Sequence, residues 1–387
     1  MSSYISALTG YKTPSLQEKK YQEPSVEEIN DKLEKTHITD SQKARVKLIE
    51  NVHEDDIHAL IKISHDRFAS GSKDGSLKVW DSQGNLNKCV WKARRIEGRV
   101  NYHQWITALA PLGKDSWMSG SRNNYLSIWN KDDKKEVCFQ PKFVDHGHLS
   151  KRRNQDRINC LTDLSSLYSS PTFAIGRATQ LTWHQLNEDG WVDHIDEVKV
   201  DKNDWVYAIH PLHINKLLVV TGTRLDLLHR SSENKKWSTH LLIEEFNHYA
   251  DLKEKRDRSF ISSLTPLIGD DRKVALSIFN GSMQVFDVVS QKISFEAREH
   301  ENRVWTVVNT QKNSLASCAD DGLIKIWDIR ASSQALFTLR DNPETKARTS
   351  VLLPLDDHIL LSGSCPDAVH QAQNKAQFSF WDMRKLF

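Results

Sequence analysis

One phrase is written twice in this chain. Residues 69–81 read ASGSKDGSLKVWD and residues 316–328 read ASCADDGLIKIWD. A chain that repeats a short unit folds as an array in which each unit buries its apolar face against the next, so the repeat constrains the fold before any motif does. Weaker copies follow once the phrase is known: MSGSRNNYLSIWN at 118–130, FAIGRATQLTWH at 173–184, VVTGTRLDLLHR at 219–230 and ALSIFNGSMQVFD at 275–287. LLSGS at 360–364 with QFSFWD at 377–382 completes the set. The anchors Trp80, Trp129, Trp183, Leu228, Phe286, Trp327 and Trp381 lie 41 to 58 residues apart, which makes seven units.

Each unit has the same inner order. An apolar stretch comes first: IHALIKI (57–63), WITALAPL (105–112), INCLTDL (158–164), VYAIHPL (206–212). A second precedes the Gly-Ser turn, a third ends at the anchor, and a fourth is short and mixed, such as KCVW (88–91) or EVCF (136–139). Short β-branched and aromatic runs separated by Gly, Asp, Asn and Ser are the punctuation of strands, not helices. Four strands per unit, seven units and a Trp-Asp-like ending resemble the WD-repeat β-propeller family over residues 44–387, most clearly in units one and six. The fold class expected is therefore all-β, a seven-bladed propeller.

The resemblance implies a hydrogen-bonded tetrad in the blades that carry the full pattern. Unit one offers His53, Ser70, Asp74 and Trp80; unit six offers His300, Ser317, Asp321 and Trp327. Unit two has Asn123 in place of the Asp and unit four has Leu228 in place of the Trp, so those blades must depend more on packing. The seventh unit stops straight after its third strand, at QFSFWDMRKLF, while VKLI (46–49) is an apolar strand without partners in its own unit. The family's way of closing the ring predicts that 46–49 completes the last blade. Residues 1–43 lie outside the repeat as an N-terminal extension. Its 1–24 portion reads as flexible. SVEEINDKLEKTH (25–37) reads as a short helix, from the Ser25/Glu28 capping box and Val26, Ile29 and Leu33 on one face. That helix could lie on the ring or dock on a partner.

Composition narrows the function classes. Lys+Arg 53 against Asp+Glu 51 leaves a net charge of +2, without the excess a bulk nucleic-acid coat needs. No apolar run reaches transmembrane length and the N-terminus has no secretory pattern, so no membrane span is expected. Five cysteines at long spacings with no CxxC read as reduced thiols in a cytoplasmic compartment. His146 and His148 lack the further ligands a zinc site needs, so neither metal nor cofactor is expected. The Ser-His-Asp sets within the tetrads mimic a hydrolase triad, but each Ser should face a Trp. No nucleophile elbow, P-loop, HExxH or dinucleotide fingerprint is present, and no enzyme is expected. ARRIEG (93–98) does not match the arginine motif of phosphoinositide-binding propellers.

The long connections between units carry the remaining signal. The loop at 92–103, with Lys92, Arg94, Arg95 and Arg99 against Glu97, and the loop at 140–157, with Lys142, Lys151, Arg152, Arg153 and Arg157 against Asp145 and Asp156, each come out at +3. Arg122 and Arg177 in the adjoining turns add to the same sector, and Glu50, Glu54, Asp55 and Asp56 give −4 across the ring. Arg157, Arg258, Arg303 and Arg348 each stand just before a first strand and should rim the central channel. These residues are the candidate contacts for an acidic or phosphorylated protein or peptide on the top face of a non-catalytic scaffold or adaptor. A polyanion binder (phosphoinositide or RNA) using the same basic loops, and a propeller-based enzyme, are the alternatives.

Overall fold

Each repeat unit folds into four strands, and the burial of the second strand explains why the units must stack. Phe68 to Ser72 in unit one, Trp117 to Ser121 in unit two and Leu315 to Ala319 in unit six are buried along their whole length, on both faces of the sheet. Only a neighbouring sheet on each side can supply that. The computed structural model describes residues 42–92, 95–96, 99–100, 105–141, 157–168, 170–177, 180–200, 205–233, 236–244, 260–331, 333–340, 347–365 and 375–386. It shows seven four-stranded antiparallel sheets. The first strands, Ile57–Ser64, Ile106–Leu112, Cys160–Asp163, Val206–His213, Ile261–Leu267, Val304–Gln311 and Thr349–Pro354, lie against one another in succession, and the last returns to the first. They surround the axis of a seven-bladed propeller, with the fourth strands outermost.

The small residues of the phrase have a packing reason. A Cβ on Gly120 would lie 2.5 Å from Ile158 Cγ2, and one on Gly176 would lie 2.7 Å from Val206 Cγ1. Gly71 likewise faces Ile106, and Gly363 faces Ile57. In four blades the glycine of the second strand is thus the hole into which the first β-branched residue of the next blade is pressed. Interiors this dense admit no added methyl without movement of the neighbour.

In blades one and six the polar tetrads are complete. The Trp80 indole donates to Ser70 Oγ at 2.8 Å, Ser70 meets His53 Nε2 at 2.7 Å, and His53 Nδ1 meets Asp74 at 3.2 Å. The same chain in blade six runs Trp327 to Ser317 (2.8 Å), Ser317 to His300 (2.8 Å) and His300 to Asp321 (2.8 Å). An ionised Asp only accepts, so Nδ1 carries the proton, Nε2 accepts from the Ser hydroxyl, and the Ser oxygen accepts from the indole. Gly75 and Gly322, at φ 75° and 73°, turn the chain straight after each Asp. Burial alone would raise the Asp74 and Asp321 carboxyls; the hydrogen bond and charge of His53 or His300, together with further hydrogen bonds from Ser76 or from the Leu323 and Glu301 amides, offset it and leave both below the ordinary carboxylate value. Blades two and seven keep only the indole–serine half, Trp129 to Ser119 and Trp381 to Ser362, each at 2.9 Å. In blade three His184, not the expected anchor Trp183, takes the place of the tetrad Trp: it stacks on Phe173 at 5.5 Å, while Trp183, opposite Ala174, stacks on Trp237 at 4.9 Å.

The last blade is closed from the other end of the chain. Arg45–His53 pairs antiparallel with Ala376–Asp382, with Leu48 opposite Ser379 and Ile49 opposite Phe378. This strand is longer than the apolar core 46–49, because its end carries His53 into the tetrad of blade one. The seam is therefore fastened twice, by a ladder to blade seven and by a side chain in blade one. Val52 joins Ile57, Phe68, Trp80, Phe378 and Phe380 in one core cluster across it. The segment expected as an open loop at 92–103 contains two short paired strands, Arg95–Ile96 and Arg99–Val100. The first strand of blade three is cut to Cys160–Asp163. The helix expected at 25–37 lies outside the described residues.

Two outcomes follow from this packing. Removal of residues 1–50 strips most of the closing strand, exposes the edge of Ala376–Asp382 and uncovers the seam core, so the truncated chain loses its cooperative thermal transition, whereas removal of 1–23 leaves it intact; a chain lacking 1–50 that melts like the full-length protein refutes the closure argument. Asp321→Ala strands His300 and the amides of Glu301 and Leu323 that Asp321 now satisfies. It should lower stability by about 1–3 kcal/mol in denaturant titrations, while Arg330→Ala, at an exposed pair, should leave the midpoint where it is.

Candidate functional site

The connection that enters each first strand and the turn that leaves each second strand meet at the same end of the blade. Backbone hydrogen bonds show it: Lys73 N donates to Asp56 O, Arg122 N to Trp105 O, Phe279 N to Phe260 O, Asp320 N to Arg303 O and Cys365 N to Arg348 O, at 2.8 to 3.0 Å. In blades one, two, five, six and seven these two positions thus lie at a common rim around the mouth of the central channel, the top face of the ring.

That rim is a collar of cations laid on aromatic rings. Arg122 lies over Trp105 at 4.4 Å and Lys73 over the same ring at 5.2 Å. Arg157 lies over Trp205 at 4.7 Å, Arg303 over Phe279 at 5.4 Å and Arg348 over Trp305 at 5.9 Å. The rings brace one another: Phe260 meets Phe279 edge-on at 5.9 Å, and Phe279 meets Trp305 at 5.0 Å. The Trp305 indole is fixed by donating to Asp320 at 2.7 Å, and His58 tilts against Trp105 at 5.8 Å. A cation over an aromatic face gains about 0.5–2 kcal/mol, more as water is excluded. A guanidinium held flat on an indole keeps its N–H edges for another acceptor.

The predicted contacts divide into three groups. Arg122, Arg157, Arg303 and Arg348 all stand on the collar. Arg177 does not: its side chain is wholly buried, so the expectation that it adds to the exposed basic sector is corrected. Arg94, Lys151, Arg152, Arg153 and Arg258 lie outside the described residues, as do His146, His148 and the side chains of Arg95 and Arg99. The acidic patch expected across the ring is also not a free patch. Asp56 is 4% exposed and ion-paired to Arg348 and, at 3.7 Å, to Lys73, whose ammonium also reaches Asp55 at 3.1 Å. Burial works against the charged form of Arg348, but the nearby Cys365 and Asp56 outweigh it and hold the guanidinium above its usual value. Lys73 and the aromatic rings were not picked out by the charge count. Their signal is positional: Trp105, Trp205 and Phe260 each immediately precede the first buried β-branched residue of a blade, and Trp305 follows it.

The catalytic-looking sets point elsewhere. Ser70 and Ser317 are fully buried inside their blades and accept an indole N–H, so neither is presented as a nucleophile. Among the described residues no helix is long and apolar enough to cross a membrane.

Comparison with known proteins agrees with the ring. Residues 47–81 and 291–328 match the sequence family described as WD domain, G-beta repeat. Over 59 residues the chain is 42% identical to Protein SPA1-RELATED 4 of Arabidopsis thaliana, a match covering 15% of this chain and 7% of that protein. Over 94 residues it is 33% identical to the Danio rerio protein p21-activated protein kinase-interacting protein 1-like, covering 24% of this chain and 23% of the other. Both matches thus span less than a quarter of the relatives' length. The solved WD40 beta propeller domain of Doa1 superimposes with a TM-score of 0.60 at 12% identity, over 88% of this chain and 96% of that one, a likeness of fold alone.

The collar's internal ion pair makes a testable contribution to stability. Asp56→Asn keeps the shape but removes the charge that Arg348 and Lys73 share. Because Arg348 remains 38% exposed, the loss should be about 1–2 kcal/mol, below that of a fully buried pair. Urea midpoints measure it, and an unchanged midpoint means that Asp56 does not anchor this side of the rim.

Proposed function

We propose that this chain, a member of the WD-repeat β-propeller family, is a non-catalytic protein-interaction platform whose top face receives an acidic or phosphorylated segment of a partner protein. The observation that carries this reading is the collar: Lys73, Arg122, Arg157, Arg303 and Arg348 around one channel mouth, all five over aromatic rings. Preformed cations on a rigid ring attract an acidic segment at long range and lose little conformational freedom when it docks. The basic connections bearing Arg94, Arg95, Arg152 and Arg153 join the same blades in sequence and would extend the contact outward from the rim. The Danio rerio relative is named for an interaction with a protein kinase, which favours the protein-binding class over a reaction. Cations already cover faces of the collar's indoles, so the rim offers N–H edges for acids more than open rings for stacked bases.

The test is affinity capture with the full-length chain, followed by salt elution of the retained proteins. Arg303→Glu combined with Arg152→Glu and Arg153→Glu should reduce recovery of an acidic partner about tenfold or more and flatten its salt dependence, with an unchanged melting temperature. If those variants capture as well as the unaltered chain, and the loss follows deletion of residues 1–43 instead, the N-terminal extension is the docking element and the collar reading is wrong.

A further inference from the structure

We propose that Arg122 and Arg157 form a two-fork clamp for a single phosphoryl dianion, carried by a phosphorylated serine or threonine of the partner. The inference rests on the platform reading above and narrows it to one pair of residues and one chemical group.

Placement comes first. Ile158 N donates to Ser121 O at 3.3 Å and ties blade three to blade two. Arg157 and Arg122 are the chain neighbours of these two residues, so two guanidinium groups leave the rim from adjacent points of the backbone. Each is then laid on its own indole, Arg122 on Trp105 and Arg157 on Trp205. The Nε–H of Arg157 donates to Asn159 Oδ1 at 2.5 Å, a bond that orients the fork without using its terminal N–H groups.

Charge comes second. Other arginines of the described structure have carboxylate partners close by: Arg67 with Asp133 at 2.8 Å, Arg224 with Asp226 and Arg230 with Asp196 at 3.1 Å, and Arg348 with Asp56. Among the described residues no carboxylate pairs with Arg122 or Arg157. Like charges brought together at a half-buried rim are unfavourable until an anion joins them. At Arg157 burial pushes the ionisation below the usual arginine value, Tyr207 opposes the shift, and the charge of Arg122 adds a smaller contribution to it.

Stoichiometry comes third. One carboxylate satisfies one guanidinium fork. Two forks together offer enough donors for the three oxygens of a phosphomonoester, whose charge of about −2 at neutral pH matches the pair.

The probe is N-acetyl-O-phosphoserine amide, titrated into the full-length chain and followed by 31P resonance shift and by tryptophan fluorescence. N-acetylglutamate amide and dimethyl phosphate serve as monoanionic comparisons. The phosphomonoester should bind about tenfold or more tightly than either. Its affinity should rise between pH 5 and pH 7, as the second phosphate proton, with a pKa of about 6, is lost, and level off above; the two monoanions should show no such rise. Arg122→Lys and Arg157→Lys keep the charge but remove a fork, and each should abolish most of the preference for the phosphomonoester while the melting curve stays the same. Equal binding of all three probes, or a preference that survives both lysine variants, overturns the clamp. If salt-sensitive capture of acidic partners persists in that case, the platform reading stands without it. Arginine-dependent binding of the chain to vesicles carrying phosphatidylinositol 4,5-bisphosphate, with no response to the phosphoserine probe, would assign the phosphoryl group to a lipid and overturn the proposed source.

Discussion

A sheet buried on both faces has no stable form alone, and this constraint governs the whole molecule. The second strands of the blades are buried along most of their length, and glycines 71, 120, 176 and 363 receive the first apolar residue of the following blade. Each blade is thus half of two interfaces. An open array of seven would leave two such faces and a long strand edge in water. Closing the ring removes both, and Arg45–His53 does so by supplying the outer strand of the last blade and the histidine of the first blade's tetrad. The start of the repeat region is therefore structural twice over.

The same rigidity creates the candidate site. Five blades bring two positions to the channel mouth through the same backbone hydrogen bond, so the rim's chemistry is decided by which residue types occupy those positions. At blade seven the arginine is answered from within, by Asp56 of blade one. At blades two and three Arg122 and Arg157 are held on tryptophans, with no carboxylate against them among the described residues. Neutralised cations at blades seven and one thus adjoin cations at blades two and three with no carboxylate against them among the described residues. That asymmetry distinguishes a rim that merely holds itself together from one poised to take an anion.

Much of the fold was legible in the sequence, because the repeat phrase encodes both strand order and the polar tetrad. ASGSKDGSLKVWD and ASCADDGLIKIWD carry the Ser, Asp, Gly and Trp that the tetrads use, and spacing from these anchors locates the histidines. The blades built on Trp183, Leu228 and Phe286 were harder to delimit, since they replace the polar set by packing: in blade three His184, one residue past the expected anchor Trp183, lies opposite Phe173 as Trp80 lies opposite Phe68. The site was less legible. A running count of charge treats every ionisable residue as exposed, so it placed Arg177 on the surface although the fold buries it, and it counted Asp56 as part of an acidic patch although Arg348 and Lys73 neutralise it. The aromatic half of the collar lies outside the repeated phrase. It emerges only when the residues entering the first strands are compared from blade to blade.

The closed ring is tested most directly by native-state hydrogen exchange read at peptide resolution. If the closing strand is an integral part of blade seven, amides of residues 45–53 exchange with the same protection as those of Ala376–Asp382 and of the first strand Ile57–Ser64, and all three lose protection together as denaturant is raised. Rapid exchange of residues 45–53 while the other two segments stay protected would contradict it, because the ring would then be stable without its seam.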